Sequence, residues 1–206
     1  MNDLRKNHWD RVYAAKGPTE LSWYQPVPSR SLALIRATGT PLISPILDVG
    51  GGTSTLVDHL LDAGYEDVSV LDIAGSALDQ ARARLGAATG QVNWVEAEIT
   101  KFEPLRAYAV WHDRAVFHFL TERAERERYL EVLRRALQPR GHFVLATFGP
   151  EGPTRCSGLK VQRYSVEQVG ALLGRDFQLR THVLDEHRTP MGTAQQFLYG
   201  WWQAEG

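Results

Sequence analysis

Residues 47–54 read LDVGGGTS, three consecutive glycines placed just after a carboxylate and a short apolar run. Such bare backbone costs conformational entropy, but it lets a ligand lie directly against peptide N–H groups at the turn. A side chain at Gly50 or Gly52 would block a ligand lying there. Asp72 ends the next apolar run, VSVLDI, 20 residues beyond Gly52. An acidic side chain at that place can take both hydroxyls of a ribose. The competing reading is a tight turn and nothing more, and Asp72 weighs against it. The two features together point to a nucleoside-bearing ligand. They do not point to a nucleoside triphosphate, because the chain has no GxxxxGK[ST] run. A dinucleotide turn, GxGxxG, fits at Gly50 and Gly52 but meets Thr55 at its third glycine. Asp48 would repel a pyrophosphate; it suits orienting the loop or receiving the ammonium of an amino-acid-bearing cofactor.

Elements must exist to carry these residues. Ile46, Leu47 and Val49 suit a buried parallel strand, followed by a helix over 54–63 that Gly64 stops. Further strands are expected at 68–73, 92–96 and 108–112, with a fifth at HFVLATF, residues 142–148. Ser76 and Asp79 have the spacing of a capping box for a helix reaching Leu85. Leu130, Leu133 and Leu137 stripe a helix in TERAERERYLEVLRRALQ, ended by Pro139 and Gly141. Ser165 and Gln168 box the start of another helix. The last two runs, FQLRTHVLDEH and QQFLYGWW, suit an antiparallel pair. Short helices are expected near 7–15 and 30–38. Strands alternating with helices indicate an α/β fold, an open and mostly parallel sheet with helices on both faces. In such sheets ligands bind beyond the carboxyl ends of the strands.

Asp48 before the glycines favours S-adenosyl-L-methionine over a nicotinamide dinucleotide. ILDVGGGTS resembles the first motif of the class I S-adenosylmethionine-dependent methyltransferases, with Ser54 where that family often has a third alternating glycine. VLDIAGSALDQAR is similar to its second motif, VEAEI to its third and WHDRAVFHFL to its fourth. RRALQPRGHFVLATF is similar to the stretch leading into its fifth strand, so the likeness covers about 40–148 well. The resemblance implies a Rossmann-like sheet of seven strands, the last antiparallel, in one domain over 1–206. It implies in-line transfer of a sulfonium methyl group, leaving S-adenosyl-L-homocysteine. It places Asp48, Gly50, Gly52, Asp72 and Ile73 along the cofactor, and Glu98 and Ile99 at the adenine. Asp113 would line the methionine moiety, orient the nucleophile or simply cap a loop, and His118 would accept its proton or serve structure. HWDRVYA and LSWYQ resemble the entrance segment of a branch that includes small-molecule, thiol and protein-lysine methyltransferases. That likeness makes residues 1–30 an aromatic lid, with Trp9 and Tyr13 near the cofactor and Trp23 and Tyr24 at the acceptor.

The Gly- and Pro-rich stretch 149–164 suits a substrate-side insertion, with Arg155, Lys160 and Arg163 available to an anionic acceptor and Arg188 and Thr189 as a second rim. Net charge is −1, which argues against nucleic acid as the main partner. The single cysteine, Cys156, permits no internal disulfide and suits a reducing cytoplasm. No apolar run approaches a membrane span, and the N-terminus lacks a hydrophobic signal core. His182 and His187 lie on opposite faces of a strand, and no HExxH or CxxC occurs, so no metal is expected. The expected function is methyl transfer to a nucleophile on a small molecule or a protein side chain. A nicotinamide-dependent oxidoreductase and an inactive cofactor-binding domain are the alternatives. Acceptor atom and oligomeric state are left open.

Overall fold

Ile46–Val49 forms β1 at the heart of a seven-stranded sheet, buried at all four positions because helices cover both faces. These elements come from a computed structural model that describes residues 2–206. In chain order they are α1 (Asn2–Ala15), α2 (Ser29–Ala37), β1, α3 (Leu56–Asp62), β2 (Val68–Asp72) and α4 (Gly75–Leu85). Then come β3 (Val92–Glu96), β4 (Tyr108–Arg114), α5 (Arg123–Ala136), β5 (Leu137–Phe148), β6 (Arg155–Cys156) and β7 (Leu159–Lys160). The chain closes with α6 (Val166–Leu173), β8 (Phe177–Arg188) and β9 (Ala194–Ala204). The sheet order is β3-β2-β1-β4-β5-β9-β8. β1 through β5 pair in parallel, and β9 runs antiparallel to both β5 and β8. The fold is thus the expected one, with the last strand of the chain the reversed one.

Strand periodicity sorts the side chains onto two faces. Leu47, Val49, Leu71 and Trp111 pack into a cluster with Tyr129 and Leu133 of α5 and Val169 of α6. Ile46, Val68, Val70 and Val110 pack on the other face with Ile35 of α2 and Leu56 and Leu60 of α3. The same alternation decides where the charged residues ending these strands point.

Several expectations are corrected locally. Helix α1 begins at Asn2, not near residue 7, because tertiary ion pairs hold its first turns: Arg5 to Glu125 at 2.7 Å and Lys6 to Glu96 at 2.9 Å. The Ser76–Asp79 capping box does not form. Instead Ser76 Oγ donates to Asp10 Oδ1 of α1 at 3.0 Å, and Asp72 Oδ1 accepts from Ala74 N at 2.8 Å just ahead of the helix. Helix α5 ends at Ala136, and Pro139 lies within the irregular start of β5. The box at Ser165 and Gln168 does form. No helix among the described residues is long and apolar enough to cross a membrane.

Candidate active site

The glycine turn is packed by protein on three sides. Gly50 has φ +66°, and a Cβ there would meet Val116 Cγ2 at 2.0 Å. A Cβ on Gly51 would sit 2.7 Å from Asp48 Oδ2, and one on Gly52 (φ +45°) 2.5 Å from the Tyr13 hydroxyl. Glycine is therefore required twice over at 50 and 52, for backbone conformation and for closeness of approach.

Beside this turn, beyond the carboxyl ends of β1, β2, β3 and β4, lies a cavity. Gly50 and Asp72 form part of its wall. Ile73, Ala97, Ile99 and Leu120 make an apolar end, with Glu98 beside them. Trp9, Tyr13 and Trp23 cover it from the N-terminal segment, their rings meeting edge-on or tilted at 5.8–6.3 Å. Arg114 and Cys156 stand at the side toward β5 and β9. Burial in this setting pushes the Asp72 carboxyl up to about 7, with the Asp48 charge adding to the rise. The residues present fit a nucleoside-bearing ligand: a buried carboxylate, a bare turn and an apolar slot meet at one cavity.

Other expected site residues lie elsewhere. Asp48 is beneath the turn, not at the cavity. Its Oδ1 is 2.7 Å from His112 Nδ1, whose Nε2 is 2.9 Å from Ser31 Oγ, and all three residues are buried. This arrangement ties β1 and β4 to α2. Its Oδ2 is buried without a partner. Glu98 does line the cavity, but its carboxylate is taken up by Thr100 and lies 3.8 Å from Arg5.

Asp113 points away from the cavity. Period-2 alternation puts it on the α5 face with Trp111, where Oδ1 accepts from Val116 N at 3.0 Å and Oδ2 accepts from the Tyr129 hydroxyl at 2.7 Å. Tyr129 in turn accepts from Trp111 Nε1 at 2.9 Å. Burial raises the Asp113 carboxyl to about 6 against these hydrogen bonds. Asp113 is a loop-holding residue, without contact to reacting atoms. Tyr129→Phe strips one bond from each neighbour in a dry core and should cost about 2–3 kcal/mol in denaturant unfolding. A loss under about 0.5 kcal/mol would contradict this account of the loop.

His118 is also removed from the cavity. It is fully buried, stacked on Phe148 at 4.3 Å, and neither ring nitrogen has a hydrogen-bond partner. Burial first, and the Arg114 charge second, lower its pKa to about 3. A group depressed on folding contributes stability above its unfolded pKa near 6.5 and loses it as pH falls toward the folded value. Wild type should therefore lose about 1.4 kcal/mol per pH unit on acidification below 6.5 relative to His118→Phe. Parallel stability–pH curves for the two proteins would refute the buried neutral imidazole.

Tyr24 lines a separate small pocket with Gln25, Thr53 and Ser54, joined to the main cavity wall through Trp23 and Arg114. The stretch 149–164 folds its middle into the β6–β7 hairpin, which brings Cys156 to the cavity while Arg155, Lys160 and Arg163 are exposed. Arg188 is likewise exposed, and Thr189 is buried in a turn. Among the described residues no cluster of three or more His, Cys, Asp or Glu is disposed to hold a metal. Arg5, Arg114, Phe119, Leu120 and Cys156 are among the cavity residues that the motifs do not place there.

Residues 47–143 match the family model of a methyltransferase domain. That stretch is similar to a methyltransferase domain, and the fold is that of the class I S-adenosylmethionine-dependent methyltransferases. A mouse (Mus musculus) protein, the eEF1A lysine and N-terminal methyltransferase, is 26% identical over 67% of this chain. The chain spans about a fifth of the length of that relative, the match covering 20% of it. A SAM-dependent methyltransferase from Anabaena variabilis superposes with a TM-score of 0.76 at 16% identity, covering 99% of this chain and 95% of that one. A structure described for conversion of a disulfide bond into a thioacetal group during echinomycin biosynthesis superposes at 0.77 with 17% identity, covering 98% and 93%. These structural likenesses concern the fold. The nicotinamide-dependent alternative finds no support among these relatives.

Proposed function

We propose that this chain is a methyltransferase that works by placement, holding S-adenosylmethionine at the Asp72 side of the cavity and the acceptor at the Arg114–Cys156 side. The observation that carries the reading is the junction of Asp72, Gly50 of the glycine turn and the Ile73–Ile99–Leu120 slot at one cavity wall, with Gly52 packed behind it against Tyr13 and Asp72. When bound, the cofactor supplies a sulfonium methyl group, already activated for displacement. The chain's residues then have positional tasks. Asp72 accepts hydrogen bonds from the ribose hydroxyls. Ile73 and Ile99 pack on the adenine, with Glu98 beside its amino group. Asp48 acts through the turn it supports, not by touching the ligand. Helix α1 and the 18–28 segment are a lid: Trp9, Tyr13 and Trp23 exclude water and present ring faces suited to a cation.

With Asp113 and His118 withdrawn, no carboxylate or imidazole of the fourth-strand motif is left as a base at the acceptor side. Alignment supplies the main catalytic effect, which for well-oriented reactants is worth on the order of 7–11 kcal/mol. Acceptors reactive without a dedicated base follow: thiolates, carboxylates, or amines that arrive neutral. The acceptor is a small molecule or a side chain able to enter the cavity, and the mouse relative's name makes protein amines worth testing. A reducing cytoplasm suits the free Cys156.

The test is transfer of labelled methyl from S-adenosylmethionine to a panel of thiols, carboxylates, amines and protein extract. Label should appear in at least one acceptor class and disappear with Asp72→Ala. Binding of NADH but not of S-adenosylmethionine would overturn the reading.

A further inference from the structure

Arg114 ends β4 one residue after Asp113, so alternation turns it to the opposite face, over β5 and toward β9. Its Nε donates to the Tyr199 hydroxyl at 3.2 Å and its Nη1 to the Trp23 carbonyl at 2.8 Å. The guanidinium lies 5.3 Å from the centre of the Phe197 ring. Nη2 is buried with no hydrogen-bond partner. Among the described residues no carboxylate forms an ion pair with Arg114, whereas Arg5, the other cation at the cavity, is paired with Glu125 and Glu98. A cation half out of water with a donor unspent is an unfinished arrangement: the desolvation has been met and the counter-charge is missing.

Where that charge sits decides what it serves. Tyr199 and Phe197 are on β9, two places along the sheet from β4, while Asp72 ends β2, two places the other way. The guanidinium thus stands at the end of the cavity opposite the ribose carboxylate, beside Trp23 and Cys156. We propose that Arg114 recognises the acceptor, and that the acceptor carries an anionic oxygen or sulfur group on a small apolar body. This rests on the cofactor lying at the Asp72 side. Nε and Nη1 hold the fork in place, and the remaining donor makes a charge-assisted hydrogen bond to the anion. The body of the acceptor meets the rings of Trp23 and Trp9. The exposed Arg155, Lys160 and Arg163, which the sequence offers for this task or for solvent alone, act at most on approach.

The test is calorimetric binding to protein saturated with S-adenosylhomocysteine, using two matched pairs. One is phenylacetate against phenylacetamide; the other is 4-nitrothiophenolate against its S-methyl ether. At least one anion should bind ten times more tightly than its neutral partner. Arg114→Gln should erase that preference, Arg114→Lys should keep part of it, and affinity for S-adenosylhomocysteine should stay within threefold in both. The pair that shows the preference tells carboxylate from thiolate. Equal affinity within both pairs, or a preference that survives in Arg114→Gln, overturns the proposal. A large loss of S-adenosylhomocysteine affinity in Arg114→Gln also overturns it, since the arginine would then serve the cofactor. If wild type binds no S-adenosylhomocysteine, the cofactor assignment falls instead, and the same pairs on the protein alone still read Arg114.

Discussion

Asp72→Ala should weaken S-adenosylhomocysteine binding at least a hundredfold by calorimetry. Asp72 is 5% exposed, and one oxygen is occupied by the Ala74 amide. Two hydrogen bonds from ribose hydroxyls to the charged group are worth about 1.5–3 kcal/mol each, and about 2.7 kcal/mol is a hundredfold. The effect has a pH signature. A carboxyl raised to about 7 by burial is largely protonated below that pH in the free protein. Binding to the carboxylate form should weaken about tenfold per unit as pH falls from 7. The stability sign is the reverse: a raised carboxyl favours the fold below the usual Asp range, and that contribution is lost as pH rises through about 7. Wild type and Asp72→Asn should therefore diverge in opposite directions, the variant more stable at pH 8 and weaker in binding. Unchanged affinity in Asp72→Ala would remove Asp72 from the ribose.

Gly52→Ala should damage both fold and site. A non-glycine residue at φ +45° costs about 1 kcal/mol by itself. The new methyl would stand 2.5 Å from the Tyr13 hydroxyl and 2.9 Å from Asp72 Oδ2, so the lid or the carboxylate must shift. The expected sum is about 2–3 kcal/mol in unfolding and a thirtyfold or greater loss of S-adenosylhomocysteine affinity. Gly39→Ala separates the two causes, because Gly39 has φ +69° with nothing within 4 Å of its Cβ position. That control should cost about 1 kcal/mol and leave binding intact. Equal effects at the two positions would show that backbone strain, not the crowding of Tyr13 and Asp72, explains the glycine.

Much of this was legible in residues. Short apolar runs bounded by glycines and caps located the central strands, and the spacing from Gly52 to Asp72 located one wall of the cavity. The errors concern direction. Asp113 and Arg114 are neighbours in one motif, and the chemistry of that motif favours the carboxylate. Period-2 alternation from Val110 and Trp111 sends Asp113 to the α5 face and Arg114 to the cavity. His118 between two phenylalanines suits a base or a structural residue, and the stacking of Phe148 that favours the structural role comes from another segment. The partners of Asp48 were invisible, since Ser31 and His112 come from other segments. Helix α1 starts early for the same reason: its first turns depend on Glu96, Glu98 and Glu125, far away in sequence.

The central claim is that the methyl donor lies against the glycine turn with its sugar on Asp72. A crystal structure of the protein with S-adenosylhomocysteine tests it most directly. The account predicts both ribose hydroxyls within hydrogen-bond distance of the Asp72 carboxylate, the adenine between Ile73 and Ile99, and Arg114 free of the ligand. A ligand seated elsewhere, or one reaching the turn with its ribose turned away from Asp72, would contradict it.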